Sequence, residues 1–191
     1  MDETPPAEQR RRDEAKLELL FRRHYRDVAA YVRRRATPDL VEDVVAETFL
    51  VAWRRLDDVP VDARPWLLGV ARKTLATQRR SLARRRSLLT RLEAIPSPGE
   101  RDEQPTGLGI AEALMRLSET DREAITLVAW EGLSPSEAAL VVGQSPVAFR
   151  VRLHRAKQRL RRRLEARLPS QENTWELAAD EVPLAGGGLK R

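Results

Sequence analysis

Residues 134–150, Ser-Pro-Ser-Glu-Ala-Ala-Leu-Val-Val-Gly-Gln-Ser-Pro-Val-Ala-Phe-Arg, hold two helix starts on either side of a glycine. Ser134-Pro135-Ser136-Glu137 has the form of a capping box. Its hydroxyl can accept from a main-chain N–H three residues on, its glutamate can reach back, and proline stands where no N–H is needed. The helix so opened should run through Val142 and stop at Gly143. Ser145-Pro146 repeats the start signal, with Ser145 as N-cap. Two helices joined by a short glycine turn, with Ala138 and Ala139 small enough for close packing, follow the helix-turn-helix pattern.

The second of these helices is basic. Phe149, Leu153, Ala156, Leu160 and Leu164 form one apolar stripe, and Arg155, Arg159 and Arg162 lie opposite. Arg150, Arg152, Lys157, Arg161, Arg163 and Arg167 fill the flanks. Such a helix can bury one side and offer the other to phosphates. In DNA-binding helices of this kind the N-terminal residues reach the base edges. Here these are Ser145, Pro146, Val147, Ala148, Arg150 and Arg152. Arginine can hold guanine by two parallel bonds, worth about 1–3 kcal/mol of discrimination. The basic residues further on suit phosphates, which position rather than specify. A merely solvated basic face is the alternative, and the paired caps with the glycine turn favour DNA. Upstream, Ser118-Glu-Thr-Asp121 resembles another capping box and predicts a helix over 119–131, ended by Gly132.

The earlier half of the chain is also helical in pattern. Leu17, Leu20, Phe21, His24, Val28, Tyr31 and Val32 fall at steps of three and four. Thr37-Pro38 reads as an N-cap and first helical residue, opening a helix over 38–56 with an apolar face of Leu40, Val41, Val44, Val45, Thr48, Phe49, Ala52 and Trp53. A loop over 57–64 follows, and Pro65 opens a third helix over 65–86. From Arg72 to Arg91 there are eight basic residues and no acid, whereas 39–62 holds seven acids against Arg54 and Arg55. A basic surface suggests a nucleic-acid backbone. An acidic one beside it suggests a basic protein partner. The expected organisation is all-α, with two small helical domains over 17–91 and 110–168. A charged N-terminal arm (1–16), a Pro/Gly-rich linker (92–109) and a C-terminal tail (169–191) complete it.

Composition narrows the function. The 191 residues carry 35 basic and 29 acidic side chains, net +6, and only four of the 35 are lysine. Cysteine is absent, which excludes a disulfide scaffold, a Cys-ligated metal and a thiol nucleophile. No apolar run approaches the ~20 residues of a membrane helix, and the first sixteen residues do not read as a secretory signal. A cytoplasmic protein without membrane insertion is expected. The two histidines, His24 and His154, have no metal-ligand spacing, and no phosphate-binding glycine loop or Gly-x-Ser-x-Gly occurs. No enzyme activity, metal or cofactor is expected.

Asp43-Val-Val-Ala-Glu-Thr-Phe-Leu-Val-Ala-Trp53 and Trp66-Leu-Leu-Gly-Val-Ala-Arg72 resemble region 2 of a sigma-70-family initiation factor. Leu117-Ser-Glu-Thr-Asp-Arg122, Glu131-Gly-Leu-Ser134 and Val151-Arg-Leu-His-Arg-Ala156 resemble its region 4. Both in this order, with nothing like regions 1.1 or 3, resemble the extracytoplasmic-function (ECF) type. The resemblance implies a transcription initiation factor that directs core RNA polymerase to promoters. Asp43, Glu47, Phe49 and Trp53 would dock on the clamp coiled coil of the largest subunit, and the polymerase flap would be a further partner. Asp58, Val59, Arg64, Trp66, Arg72, Lys73, Gln78, Arg79 and Arg80 would bind the −10 element as melted strand, with a base flipped into a pocket near the loop. Ser145, Pro146, Val147, Ala148, Arg150, Arg152, His154 and Arg155 would read the −35 element as duplex. The linker would thread the RNA exit path, and an anti-sigma factor would hold the protein silent.

This sequence departs from the family pattern at Lys73, often asparagine, and in a short loop without the usual aromatic. Val147-Ala148-Phe149-Arg150 stands where Gly-Thr-Val-Lys is frequent. The alternative is a helix-turn-helix regulator that acts without polymerase, its first half sensing a ligand or dimerising. A third possibility is an RNA-binding or adaptor protein using the Arg72–Arg91 patch.

Overall fold

A computed structural model describes residues 6–92 and 109–165, with side chains described over 7–84 and 109–165. Among these residues there are seven α-helices and one 3-10 turn, and no strand. The expectations for 93–108 and for the tail lie outside the described residues.

The helices are α1 (Pro6–Arg33), α2 (Pro38–Arg54), α3 (Ala63–Leu92), α4 (Ile110–Met115), α5 (Glu119–Ala129), α6 (Pro135–Val142) and α7 (Pro146–Glu165). Helices α1, α2 and α3 pack on one another, and α4, α5 and α6 gather around α7. The two groups are not separate bodies, because α3 lies along α6 and one apolar cluster runs through both. Tyr31, Val32, Val44, Leu67 and Leu68 fill its first part, and Leu127, Ala138, Val141 and Phe149 fill its second. Gly69 makes the join close. A methyl added there would sit 3.5 Å from the Val141 carbonyl oxygen and 3.6 Å from its Cα. Helix α3 therefore meets α6 at the main chain.

The arm expected over 1–16 is corrected for 6–16, which belong to α1; residues 1–5 lie outside the described residues. Charged side chains at helical spacing support this turn without an apolar face: Gln9 donates to Asp13 and Arg10 pairs with Glu14, each four residues apart. Lys16 then ties the helix down by donating to the Leu56 carbonyl at 2.8 Å. Helix α3 likewise continues past the expected end at residue 86, to Leu92.

Capping follows the sequence unevenly. Ser134 and Glu137 make the complete reciprocal box, and Gly143 closes α6 in the left-handed conformation (φ 68°). Ser118 accepts from the Asp121 N–H, but the Asp121 carboxylate turns away to Arg159 of α7, so that box is half made. Thr37 precedes α2 in extended conformation with no side-chain cap bond; Pro38 at the first position starts the helix.

Candidate nucleic-acid interface

In the second group, α6, the Gly143 turn and α7 form the helix-turn-helix. Ser145 accepts from the Ala148 N–H at 3.2 Å, so its hydroxyl is committed to starting α7. Phe149, Leu153 and Ala156 are buried and fix the rotation of α7 about its axis. Pro146, Val147, Ala148, Arg150, His154 and Arg155 consequently face solvent, and Arg152 is half-buried. The His154 ring meets the Gln158 amide at 3.0 Å. The expected −35 residues thus share one exposed helix, led by the end that a major groove admits.

In the first group the expected residues divide. Lys73 and Arg80 are exposed, Gln78 is half-buried, and Arg80 donates to the Thr77 hydroxyl. Asp58 is exposed and pairs with Arg55 at 2.9 Å; the same Arg55 lies 6.0 Å above the half-buried Trp66 ring. Val59 packs against the core. Arg64 and Arg72 turn toward the second group. Arg64 donates to Asp27 and, at 2.6 Å, to the Glu131 carbonyl. Arg72 donates from Nε and Nη2 to the two oxygens of Glu123, at 2.7 and 2.9 Å. This hydrogen bond raises the Arg72 pKa further, so its charge is permanent. Arg79 donates to the Arg35 carbonyl and stands 3.5 Å from Glu119.

On α2, Asp43 is exposed, Glu47 half-buried and Trp53 36 % exposed. Phe49 is not on that surface. It is buried and packs edge-on against Phe21, with ring centroids 4.8 Å apart, so its ring serves the core. The exposed Leu50 is a residue the sequence reading passed over. It lies at helical spacing with Asp43 and Glu47, which the step of three and four could have revealed.

The reading also missed the junction itself. Glu131, only 2 % exposed at its side chain, pairs with Arg34 and, at 2.8 Å, with Arg35. Arg35 lies 3.8 Å over the Tyr31 ring and donates to the Thr126 hydroxyl. Burial pushes the Tyr31 phenol up to about 12, so it stays neutral. A cleft of about 660 Å3 opens here, lined among others by Arg34, Arg35, Arg72, Arg79, Arg122 and Trp130. No spacing within one helix marks these residues, because their partners lie far away in sequence.

His24, expected at the edge of the core, is buried there, with Asp27 4.0 Å from its Nδ1. Desolvation lowers its pKa, helped by Arg23 and Arg64 and opposed by Asp27 and Asp62. Among the described residues no cluster of three metal-ligating side chains occurs, and no helix is long and apolar enough to cross a membrane.

Known proteins match this architecture. The family described as Sigma-70 region 2 matches residues 20–85, and Sigma-70, region 4 matches 108–160. The RNA polymerase sigma factor NccH of Alcaligenes xylosoxydans xylosoxydans is 33% identical over 153 residues, covering 74% of this chain and 82% of that protein. The ECF RNA polymerase sigma factor SigL of Mycobacterium tuberculosis is 35% identical over 159 residues, covering 76% and 89%. The solved structure of CnrH in complex with the cytosolic domain of CnrY superposes with a TM-score of 0.53 at 29% identity, over 78% of this chain and 88% of that one. The chain belongs to the sigma-70 family of RNA polymerase sigma factors, in its ECF branch.

Proposed function

We propose that this sigma factor reads a promoter at two separated places while bound to core RNA polymerase. Helix α7 enters the major groove of the −35 element. Arg150 and Arg152 lie at its leading end for bases or the adjoining phosphates, and Arg155 lies further along for the backbone. The start of α3 and the loop before it bind the −10 element as single strand, through Trp66, Arg72, Lys73 and the basic residues that follow. Asp43 and Glu47, with Leu50 and Trp53, form the polymerase-docking face of α2. A partner of the anti-sigma class covers these surfaces when the factor is silent.

The observation that carries this reading is the posture of α7. Its apolar stripe is buried from Phe149 to Ala156, while the first turn beyond Gly143 stays open. Among the described residues Arg150 and Arg155, at that solvent-facing end, have no ion-pair partner and are free for phosphate or base edges.

The test is run-off transcription with core enzyme on a genomic fragment library. Specific starts that share two spaced elements are expected. Starts that ignore scrambling of the upstream element would overturn the assignment of α7. Asp43→Ala with Glu47→Ala should weaken co-purification with core while helix content stays unchanged; unchanged co-purification removes these carboxylates from the docking face.

A further inference from the structure

We infer that Arg34, Arg35 and Arg72 form a phosphate-binding cradle for the DNA strand, and that Glu123 and Glu131 occupy it in the closed chain as stand-ins for phosphate. The inference rests on the single-strand reading of α3 given above and extends it to two arginines of the turn after α1.

The bonds are those of an anion site. Arg72 takes both oxygens of Glu123 in a two-bond fork, the geometry by which guanidinium also takes phosphate. Glu131 is held by two guanidiniums together, Arg34 through Nε and Nη2 and Arg35 through Nη1. Three positive groups therefore face two carboxylates, and the cradle stays positive even when filled. Among the described residues, every carboxylate that these arginines bind comes from the other group of helices. If the groups part, Arg34, Arg35 and Arg72 lose all of those counter-charges at once.

What replaces them is set by position. Arg79 donates to the Arg35 carbonyl, so the cradle continues into the exposed basic face of α3 with Lys73 and Arg80. A nucleic-acid strand laid along that face brings its phosphates to the cradle. It also releases condensed counterions, a gain that the internal carboxylates lack. Carboxylate and phosphate then compete for the same donors. The measured affinity of the chain for a strand is its intrinsic affinity scaled by the fraction of molecules that are open.

The experiment uses the full chain with Glu123→Gln and Glu131→Gln, and a labelled single-stranded oligonucleotide of mixed sequence as probe. Removing the stand-ins should tighten strand binding by about tenfold, as the open fraction rises. Glu14→Gln with Glu165→Gln makes the same change in net charge far from the junction and should tighten it little. Adding Arg34→Gln and Arg35→Gln to the first pair should return the affinity to the starting value or weaker. Gly69→Phe supplies a second route, since it forces α3 from the Val141 main chain with every ion still present. Because the chain has no cysteine, spin labels at Thr77→Cys and Ser136→Cys report the separation of the groups directly.

Longer separation with tighter strand binding in both variants supports the inference. Longer separation with unchanged strand binding overturns it, as does unchanged separation in both, or undiminished binding after loss of Arg34 and Arg35. Failure of promoter-directed transcription beside intact, arginine-dependent strand binding would instead strike the promoter reading and leave the cradle standing.

Discussion

Arg72 and Arg79 on α3 and Arg150 and Arg155 on α7 have opposite surroundings. Arg72 is locked to Glu123 of α5, and Arg79 to the carbonyl of Arg35 in the turn after α1. Arg150 and Arg155, at the leading part of α7, face solvent. Composition treats these side chains alike. The difference lies in what the neighbouring helix brings. Helix α5 and the turn after it bring Glu119, Glu123 and Glu131 to the first surface, whereas at α7 the Asp121 carboxylate reaches Arg159 further along and leaves the leading Arg150 and Arg155 facing solvent. A basic cluster is therefore a measure of potential binding, and tertiary packing decides how much is available.

The comparison is broken most strongly at Glu131. Glu131→Ala leaves Arg34 and the more buried Arg35 without their counter-charge beside the cleft, and unfolding in urea should show a loss of about 3 kcal/mol. That is the low end for a broken buried pair, because Arg34 reaches solvent. Phe149→Ala would be as costly, about 3–5 kcal/mol, and would damage α7 and its DNA contacts alike. The pair of measurements thus separates a junction defect from a defect in the reading head.

Arg150→Ala sharpens the contrast from the other side. It should weaken binding to the matched upstream duplex by about 1–3 kcal/mol if it contacts a base. Stability should move by less than about 0.5 kcal/mol, since the side chain is exposed. Arg72→Ala should do the reverse in the closed chain and register first as a change in melting. Equal effects of the two substitutions on stability would erase the distinction.

Smaller effects test the scaffold of each surface. Ser134→Ala removes one half of the capping box and should cost about 1 kcal/mol. Glu137, whose pKa is lowered by its bonds to Ser134, would then titrate closer to an ordinary glutamate. That shift, followed by NMR, identifies the cap as its cause. Smallest is the pH response of His24 in the first group. Its folded pKa lies below 6.5, so the unfolded chain takes up the proton more readily. Stability should be full above pH 6.5 and fall as the pH drops through that value toward the folded pKa. His24→Gln should flatten this part of the profile.

Local chemistry was legible in the sequence. Ser134, Glu137 and Gly143 fix α6 through bonds only three or four residues long, and the structure makes each of them. The apolar stripe of α7 was equally plain, because its period is intrinsic to the helix. What stayed hidden depends on distant partners. Asp121 looked like the second half of a cap, but Arg159 claims its carboxylate from 38 residues away. Phe49 was read as a docking residue, and only the approach of α1 shows that Phe21 covers it. The first turns of α1 were a different failure. Composition suggested an arm, while the four-residue spacing of Arg10 and Glu14 already favoured a helix.

Gly69 leaves a mark on how the molecule can come apart. Where side chains of two helices interlock, sliding them past each other demands many simultaneous rotamer changes. At Gly69 itself no side chain stands between α3 and α6, and one backbone lies against the other. Cohesion at that line is shared between the apolar cluster that runs through both groups and the ions beside it, of which the exposed Arg79–Glu119 pair fades with added electrolyte far sooner than the buried Glu131 pairs. Added electrolyte should therefore loosen the exposed rim of the junction before its buried centre.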